Sequence, residues 1–322
     1  MTGNGSGPPG PAVEIIGEAP ALIAAKHLAR RVARSNVPVL IVGETGTGKE
    51  LLANYVHEAS GRVGDLVDVD CAAIPDDLVE SLLFGHRRGA FTGAVANARG
   101  LVMEAQGGTL FLDELGGLSP RGQAKLLRVL ETGRVRRVGE GTSRPVDFRV
   151  VSTAHESLSE QVAAGSFRHD LMQRVAGVVI RLPSLSERME DVPALATYFA
   201  RRNGFEVEQE ALSALASQQW PGNVRQLRWT IRRSALFAEE GVITTACVRA
   251  AVETGPRSLH QPGTVPAAAD HSLQELRAVC VEYAGDPDQI ASALGVGRST
   301  LYRRLRAAGL RLQRFRRAEQ GG

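Results

Sequence analysis

The chain has 322 residues, of which 43% are hydrophobic, enough for about two domains with buried cores. Its 38 basic and 35 acidic residues give a net charge of only +3, which excludes a uniformly cationic protein. Cys71, Cys247 and Cys280 are odd in number and share no C-x-x-C spacing, so neither a disulfide framework nor a zinc site is indicated. No apolar run approaches the ~20 residues of a membrane span and the N-terminus has no signal-peptide pattern, so we expect a cytoplasmic protein without a membrane contact.

Strands and helices alternate in residues 16–184, after residues 1–15, whose Gly/Pro-rich composition predicts disorder. The predicted strands are Val37–Val42, Asp65–Asp70, Thr109–Asp113, Asp147–Ser152 and Val178–Leu182, and the predicted helices are Ala19–Ser35, Glu50–Ala59, Asp76–Phe84 and Pro120–Glu131. Val135–Val138 is expected to pair with a neighbouring strand around Gly139–Gly141. This alternation predicts an α/β fold with a parallel sheet that helices cover on both faces.

The pattern changes after residue 184. Residues 185–253 are predicted to form a small all-α subdomain with the helices Val192–Asn203, Gln209–Gln218, Val224–Glu239 and Thr244–Glu253. Residues 254–271 contain three prolines and two glycines, a composition typical of a linker. Residues 272–322 are predicted to form three short helices followed by a basic tail.

The first predicted strand runs directly into a glycine-rich loop and a helix. The loop and the start of the helix comprise Gly43, Glu44, Thr45, Gly46, Thr47, Gly48, Lys49 and Glu50. This spacing is typical of a loop whose backbone N–H groups surround phosphate oxygens while the lysine reaches the β- and γ-phosphates. Glu50 replaces the usual Ser/Thr, so one metal-side hydroxyl is missing. The simpler interpretation is an ordinary glycine turn between a strand and a helix.

Two acidic residues end the apolar strand TLFLD. Asp113 at that position can hold Mg²⁺ through water, and Glu114 can orient or deprotonate an attacking water. Acidic residues are also common in turns after strands. The combination with the glycine loop is what makes a Mg-ATP site the favoured interpretation.

A short hexapeptide, Gly89–Ala94, reads GAFTGA, with Gly89, Ala90, Phe91, Thr92, Gly93 and Ala94 in order. Its two glycines and single aromatic residue favour a flexible surface loop. The alternative is an ordinary loop whose phenylalanine packs back onto the domain.

The motifs GETGTGKE, GAFTGA and GGTLFLDE occur in this order, and the chain thereby resembles the AAA+ ATPases that activate sigma-54-dependent transcription. The resemblance runs from about Ile16 to Ala308. It implies an AAA+ P-loop NTPase domain with a helical lid, ATP and Mg²⁺ as cofactors, and a homo-oligomeric ring, expected to be hexameric. In this family the hexapeptide contacts the sigma factor, so residues 89–94 are assigned that role.

The resemblance also assigns arginines. Phe167–Val175 resembles the segment that carries two arginine fingers, which would be Arg168 and Arg174, acting on the nucleotide of a neighbouring subunit. A plain surface pair of Arg168 with Asp170 is the alternative. WPGNVRQL resembles the lid motif whose arginine, here Arg225, senses the nucleotide.

Three positions depart from the family pattern. Asp70 stands where an asparagine usually holds the catalytic glutamate, and an acid there would repel Glu114. Ala154 replaces a threonine at the first sensor, and Ser186 replaces an arginine. Activity is still expected, whereas its regulation through these positions is open.

The C-terminal segment fits a helix-turn-helix. Asp286 and Pro287 begin one helix, Gly295–Gly297 turns the chain, and a second helix follows, with Arg298, Ser299, Thr300, Arg303 and Arg304 as the expected DNA contacts. The segment resembles the Fis-type module attached to this family. A three-helix bundle with a solvated basic face is the alternative.

These features predict a Mg-ATP-hydrolysing activator that binds upstream DNA and remodels the closed sigma-54 RNA polymerase complex. The short stretch before the ATPase domain predicts that a separate regulatory protein, the expression level or a further domain provides control. Alternatives are a DNA-binding regulator that uses ATP only as an assembly switch, and a generic AAA+ unfoldase, which the helix-turn-helix disfavours.

Overall fold

The computed structural model describes residues 13–255 and the single residues Tyr283 and Ile290. The strands are β1 (Val39–Val42), β2 (Leu66–Asp70), β3 (Thr109–Asp113), β4 (Arg134–Val135), β5 (Arg144–Pro145), β6 (Arg149–Ala154), β7 (Val178–Arg181), β8 (Glu206–Val207) and β9 (Val242–Ile243). The helices are α1 (Pro20–Ala33), α2 (Lys49–Ser60), α3 (Val79–Phe84), α4 (Leu101–Glu104), α5 (Pro120–Thr132), α6 (Leu158–Ala163), α7 (His169–Val175), α8 (Val192–Arg201), α9 (Gln209–Ala216), α10 (Asn223–Ser234) and α11 (Thr245–Glu253). None of these helices is both long and apolar enough to cross a membrane.

Five strands form a parallel sheet in the order β2-β3-β6-β1-β7. The predicted α/β fold with a parallel sheet is therefore confirmed. Strand β6 lies between β1 and β3, so the ends of three strands that carry motif residues are adjacent. Because the carboxyl ends of parallel strands share one edge of a sheet, this order assembles a site there.

Side chains alternate between the two faces of the sheet. In β1, Leu40 packs on one face, whereas Val39 and Ile41 pack on the other. Helices α1 and α2 cover the second face, and α3, α5 and α7 are among the helices that cover the first. Burial on both faces explains why the strands read as continuous apolar runs in the sequence.

The start of β6 carries a buried arginine. Arg149 is 1% exposed, and its guanidinium donates hydrogen bonds to the carbonyl oxygens of Ala33 (2.5 Å) and Val32 (2.8 Å) at the end of α1. Burial lowers the pKa of Arg149 to about 10. A cation placed at the carboxyl end of α1 satisfies carbonyls that have no partner within the helix.

Helix α5 shows why local signals predicted its limits well. The Ser119 hydroxyl accepts a hydrogen bond from the Gly122 N–H, Pro120 occupies the first turn, and Gly133 ends the helix with φ +60°. The sequence did not predict α4, α6 or α7, which are short helices. Helix α10 ends at Ser234 and continues as a 3₁₀ turn, Ala235–Phe237, earlier than predicted.

The hairpin after α5 differs from the prediction. Its strands β4 and β5 pair antiparallel, with Val135 opposite Arg144. The strand predicted over Val135–Val138 therefore ends at Val135. Val138, in the connection between these two strands, instead forms a bridge with His86. Helices α8–α11 enclose a separate core around Trp220, Leu227 and Ile231. The parallel pair β8–β9 adds two short strands to the subdomain that was predicted to be purely helical.

Candidate functional site

The glycine loop connects β1 to α2, as the sequence predicts. Gly46 (φ +80°) and Gly48 (φ +105°) adopt left-handed backbone conformations. A Cβ on Gly46 would lie 2.5 Å from the carbonyl oxygen of Gly222 in the lid. Gly46 is therefore required both for its backbone angles and for the close approach of the lid.

The ammonium group of Lys49 points into this loop. Its Nζ donates hydrogen bonds to the carbonyl oxygens of Gly43 (2.9 Å) and Glu44 (3.1 Å). Burial lowers the pKa of Lys49, and the nearby negative charges of Asp113 and Glu114 oppose that shift. The arrangement places one cation and two carboxylates around the same loop, as a phosphate and metal site requires.

The acidic pair at the end of β3 is held by a residue that the sequence analysis missed. The Thr153 hydroxyl on β6 donates a short hydrogen bond to Asp113 Oδ1 and accepts one of 3.0 Å from the Glu114 N–H. Glu114 has φ +49°, a left-handed conformation that costs free energy in a residue with a side chain. Thr153 thus holds the carboxylate of Asp113 and the backbone of Glu114. A threonine one position before Ala154, directly after the predicted strand Asp147–Ser152, was the available signal.

The loop and Glu114 border a common cavity of about 270 Å³. Its lining includes Thr45, Lys49, Glu114, His155 and Gln161. Within the described part of the chain, no group of three or more His, Cys, Asp or Glu residues could hold a metal ion by itself.

Asp70, at the end of β2, was expected to repel Glu114. It lies opposite Asp113 in the β2–β3 register, and its carboxylate accepts hydrogen bonds from the N–H groups of Ala72 (3.0 Å) and Ala73 (3.1 Å). The Asp70 carboxylate is therefore bonded within its own turn, and among the described contacts it makes no hydrogen bond with Glu114.

The lid contacts the phosphate loop through Asn223. This residue belongs to the WPGNVRQL motif, but the sequence predicted no role for it. Asn223 is fully buried with φ +53°, and its amide nitrogen donates to Glu44 Oε2 (2.9 Å) and to the Thr45 carbonyl (3.0 Å). Its amide oxygen accepts from the Leu185 N–H at 2.6 Å. Arg225, the predicted sensor, donates its backbone N–H to the Gly46 carbonyl at 3.3 Å.

A second connection to the loop comes from Arg188. Its buried guanidinium donates to the Thr47 carbonyl at 2.8 Å and lies 4.0 Å from Asp191. Asp191 in turn accepts hydrogen bonds from the N–H groups of Glu18 and Ala19, before α1. The loop is therefore joined to the lid and to the start of the domain.

The two arginines predicted as fingers lie at α7, outside the lining of the cavity. Arg168 forms the surface pair with Asp170 that the sequence allowed, through bonds of 3.0 and 2.7 Å. This pairing lowers the pKa of Asp170. Arg174 donates to the Leu130 carbonyl at 2.8 Å. Both are exposed, which leaves them accessible to another molecule.

The hexapeptide forms a closed surface loop. Gly89 (φ +79°) donates its N–H to the Ala94 carbonyl at 2.9 Å, and Gly93 has φ +99°. Phe91 is 41% exposed and meets the His86 ring edge-on at a centroid distance of 5.0 Å. Thr92 is exposed, whereas Ala94 is buried. Phe91 therefore packs partly on the domain and partly faces solvent.

The expected DNA contacts lie outside the described residues. They are Arg298, Ser299, Thr300, Arg303 and Arg304.

Comparison with known proteins now adds to this geometry. Residues 15–181 match the family model of the sigma-54 interaction domain, and residues 186–264 match the AAA+ ATPase lid domain. The hydrogenase transcriptional regulatory protein HoxA of Cupriavidus necator is 46% identical over 247 residues, 74% of this chain and 50% of that protein. The transcriptional regulatory protein ZraR of Salmonella typhimurium is 38% identical over 301 residues, 90% of this chain and 68% of that protein. The chain thus spans about half the length of HoxA.

Solved structures agree with this relationship. NtrX from Brucella abortus, in a crystal structure with ATP, has a TM-score of 0.68 at 29% identity, covering 92% of this chain and 70% of its own. RuvB from Thermotoga maritima has a TM-score of 0.55 at 17% identity over 91% of this chain and 87% of its own, a likeness of fold alone. The chain belongs to the sigma-54-dependent transcriptional regulators, the family with a sigma-54 interaction domain, and it is an AAA+ ATPase.

Proposed function

We propose that this ATPase activates transcription by remodelling the closed sigma-54 RNA polymerase complex, using ATP hydrolysis to drive the loop at residues 89–94. The observation that carries the proposal is that one domain holds both an acidic, lysine-containing loop site and an exposed hexapeptide loop with Phe91 half in solvent. Family membership supports the sigma factor as the target of that loop.

At the nucleotide, each residue has a separate task. The loop N–H groups and Lys49 bind the phosphates, and Lys49 exchanges the carbonyls of Gly43 and Glu44 for phosphate oxygens. Glu114 orients and deprotonates the attacking water. Thr153 holds Asp113 and the Glu114 backbone in place before the phosphates arrive. The ATP complex of NtrX supports ATP as the nucleotide.

The donor set fits Mg²⁺ as the accompanying ion. This ion keeps several waters and uses one or two carboxylates together with substrate phosphates, so no cage of protein ligands is needed. Asp113 supplies such a carboxylate at the end of β3. Bound there, Mg²⁺ would neutralise negative charge on the phosphates. Glu50 offers no hydroxyl at the position where Ser/Thr is usual.

Catalysis is proposed to require a ring of identical subunits, with six as the expected number. Arg168 and Arg174 are exposed at α7 and lie outside the lining of their own cavity. A guanidinium from a neighbouring subunit would stabilise charge on the transferred phosphoryl group. In the ring, Arg168 would leave Asp170, and Arg225 would sense the nucleotide from the lid.

The remaining partner is double-stranded DNA upstream of the promoter. We propose that Arg298, Ser299, Thr300, Arg303 and Arg304 contact it, which raises the concentration of the ATPase near the polymerase. With RNA polymerase and DNA as its partners, the protein is proposed to act in the cytoplasm.

Promoter opening by the purified protein with sigma-54 polymerase, with and without ATP, tests the proposal. Opening is expected only with hydrolysable ATP. Phe91→Ala and Thr92→Ala should abolish opening while ATP turnover and DNA binding remain, because neither residue lines the cavity that contains Lys49. Val95→Ala, at an exposed position just outside the hexapeptide, is the matched control. Normal opening by the Phe91 and Thr92 variants would instead support a regulator that uses ATP only as an assembly switch.

A further inference from the structure

A second cavity, of about 320 Å³, lies between the end of α5 and the β4–β5 hairpin. Six polar side chains that line it define the arginine pocket: Lys125, Arg128, Thr132, Arg134, Arg136 and Ser143. No Asp or Glu is among the described residues that line it. None of these residues has a role in the nucleotide site or in the hexapeptide loop.

Two of the cations are available to a ligand. Lys125 is already paired with Glu80 at 2.8 Å, and Arg134 donates to the Ser143 hydroxyl and carbonyl, at 2.9 and 2.8 Å. The guanidinium groups of Arg128 and Arg136 are exposed and make no hydrogen bond or ion pair with any described residue. Arg134 is thus held in the lining of the pocket by Ser143, whereas Arg128 and Arg136 are exposed to solvent.

The charge imbalance extends beyond the pocket. Residues 121–150 contain eight Lys and Arg against three Asp and Glu, a balance of +5, or +4 without the buried Arg149, whereas the whole chain has a net charge of +3. Self-repulsion among such groups disfavours their clustering unless an anion is bound. Guanidinium, ammonium and hydroxyl donors without an acceptor carboxylate are the set that proteins use to contact nucleic-acid phosphates.

The pocket is joined to the hexapeptide loop by the same hairpin. The Arg87 N–H donates to the Val138 carbonyl at 3.0 Å, and the Val138 N–H donates to the Gly85 carbonyl at 2.8 Å. A Cβ on Gly139 would lie 2.8 Å from the Cβ of Ala90. A ligand in the pocket therefore lies on the segment that supports residues 89–94.

From the pocket, its unpaired arginines and this connection, we propose that the ATPase domain itself binds the phosphate backbone of duplex DNA through Arg128 and Arg136. The contact is separate from the C-terminal helix-turn-helix and carries no base specificity. It goes beyond the proposed remodelling, because DNA held here would lie beside the loop that engages the polymerase.

The test uses the full chain with Arg303→Ala and Arg304→Ala, which weakens the C-terminal contact. Fluorescence anisotropy of a labelled duplex of arbitrary sequence is followed from about 50 to 200 mM salt, without nucleotide or polymerase. Adding Arg128→Gln and Arg136→Gln should lower the magnitude of the log–log salt slope by about 2, since each lost phosphate contact removes about 0.9. Arg30→Gln with Arg31→Gln, on α1 across the sheet, is the charge-matched control and should leave the slope unchanged.

Equal slopes for the pocket variant and the parent would overturn the proposal, as would an equal loss in the α1 control. Competition by poly-L-glutamate as strong as by unlabelled duplex would also overturn it, in favour of an acidic peptide. Thermal unfolding establishes that both double variants fold. Because the assay contains neither ATP nor polymerase, its failure is distinct from a failure of the promoter-opening experiment.

Discussion

The amide of Asn223 in the lid donates a 2.9 Å hydrogen bond to the carboxylate of Glu44 in the phosphate loop, across 179 residues of sequence. The same amide holds the Thr45 carbonyl and the Leu185 N–H. One buried side chain thereby fixes the position of the lid relative to the loop that binds phosphate. The Leu185 N–H is buried with Asn223, so losing the amide leaves that buried donor without a partner, whereas Glu44 and Thr45 are exposed to solvent.

Asn223→Gly tests this connection. Glycine tolerates the left-handed backbone of this residue, so the variant removes the amide without adding strain. We expect a loss of about 1–3 kcal/mol in the free energy of unfolding and weaker ATP binding, measured by urea unfolding and by titration with ATP. Asn203→Gly, at an exposed asparagine of the same subdomain, is the control. Unchanged stability and affinity would show that the Glu44 contact does not hold the lid.

Substitutions at Glu114 and Lys49 should separate ATP binding from ATP hydrolysis. Glu114→Gln should bind Mg-ATP but hydrolyse it very slowly, because an amide cannot deprotonate water. Lys49→Ala should weaken binding itself, since the cation at the phosphates is lost. Equilibrium binding and steady-state turnover measure the two effects. Near-normal turnover of the Glu114 variant would show that this residue is not the base.

Thr153 is predicted to position the acidic pair. Thr153→Val keeps the shape of the side chain but removes the hydroxyl that contacts Asp113 and the Glu114 N–H. We expect turnover to fall by about tenfold or more, corresponding to at least ~1.4 kcal/mol. Thr153→Ser retains the hydroxyl and should recover most of the activity. If the valine and serine variants turn over ATP equally, the hydroxyl has no positioning role.

Arginines from a neighbouring subunit should be essential for turnover. Arg168→Ala or Arg174→Ala is expected to reduce the rate by about 10³-fold, the lower end for arginine fingers. Mixing either variant with Glu114→Gln protein should restore some activity, because a mixed ring contains interfaces with an intact finger and an intact base. Absence of recovery at every mixing ratio would argue that the arginines act within their own subunit. Arg144→Ala, on the exposed β5 strand, is the control for loss of a surface arginine.

Stability should depend on pH through His57. Its ring nitrogen lies 2.8 Å from the Thr109 hydroxyl, and burial lowers its pKa below the ordinary 6.5. As pH falls through about 6.5, the unfolded chain takes up the proton before the folded protein does, so this residue destabilises the fold in acid and has no such effect at higher pH. His57→Gln should therefore flatten the decline of stability between pH 7.5 and 5.5, measured by urea unfolding. The exposed His27→Gln should not, and an equal change in both would contradict the assignment.

The sequence by itself determined the features that depend on neighbouring residues. The strand–loop–helix order around Lys49, the acidic end of TLFLD and the caps of α5 are local, because glycine angles, capping and apolar runs act over a few positions. The same local patterns identified the family through three short motifs.

Only the tertiary structure decided which distant residues meet. The strand order places β6 between β1 and β3, so Thr153, one residue before the position where a sensor was expected, holds the acidic pair. Asn223 contacts Glu44, the Asp70 carboxylate accepts hydrogen bonds from Ala72 and Ala73, and the β4–β5 hairpin gathers the arginine pocket beside residues 89–94. These contacts arise from strand order and packing of the lid, which no periodicity in the sequence encodes.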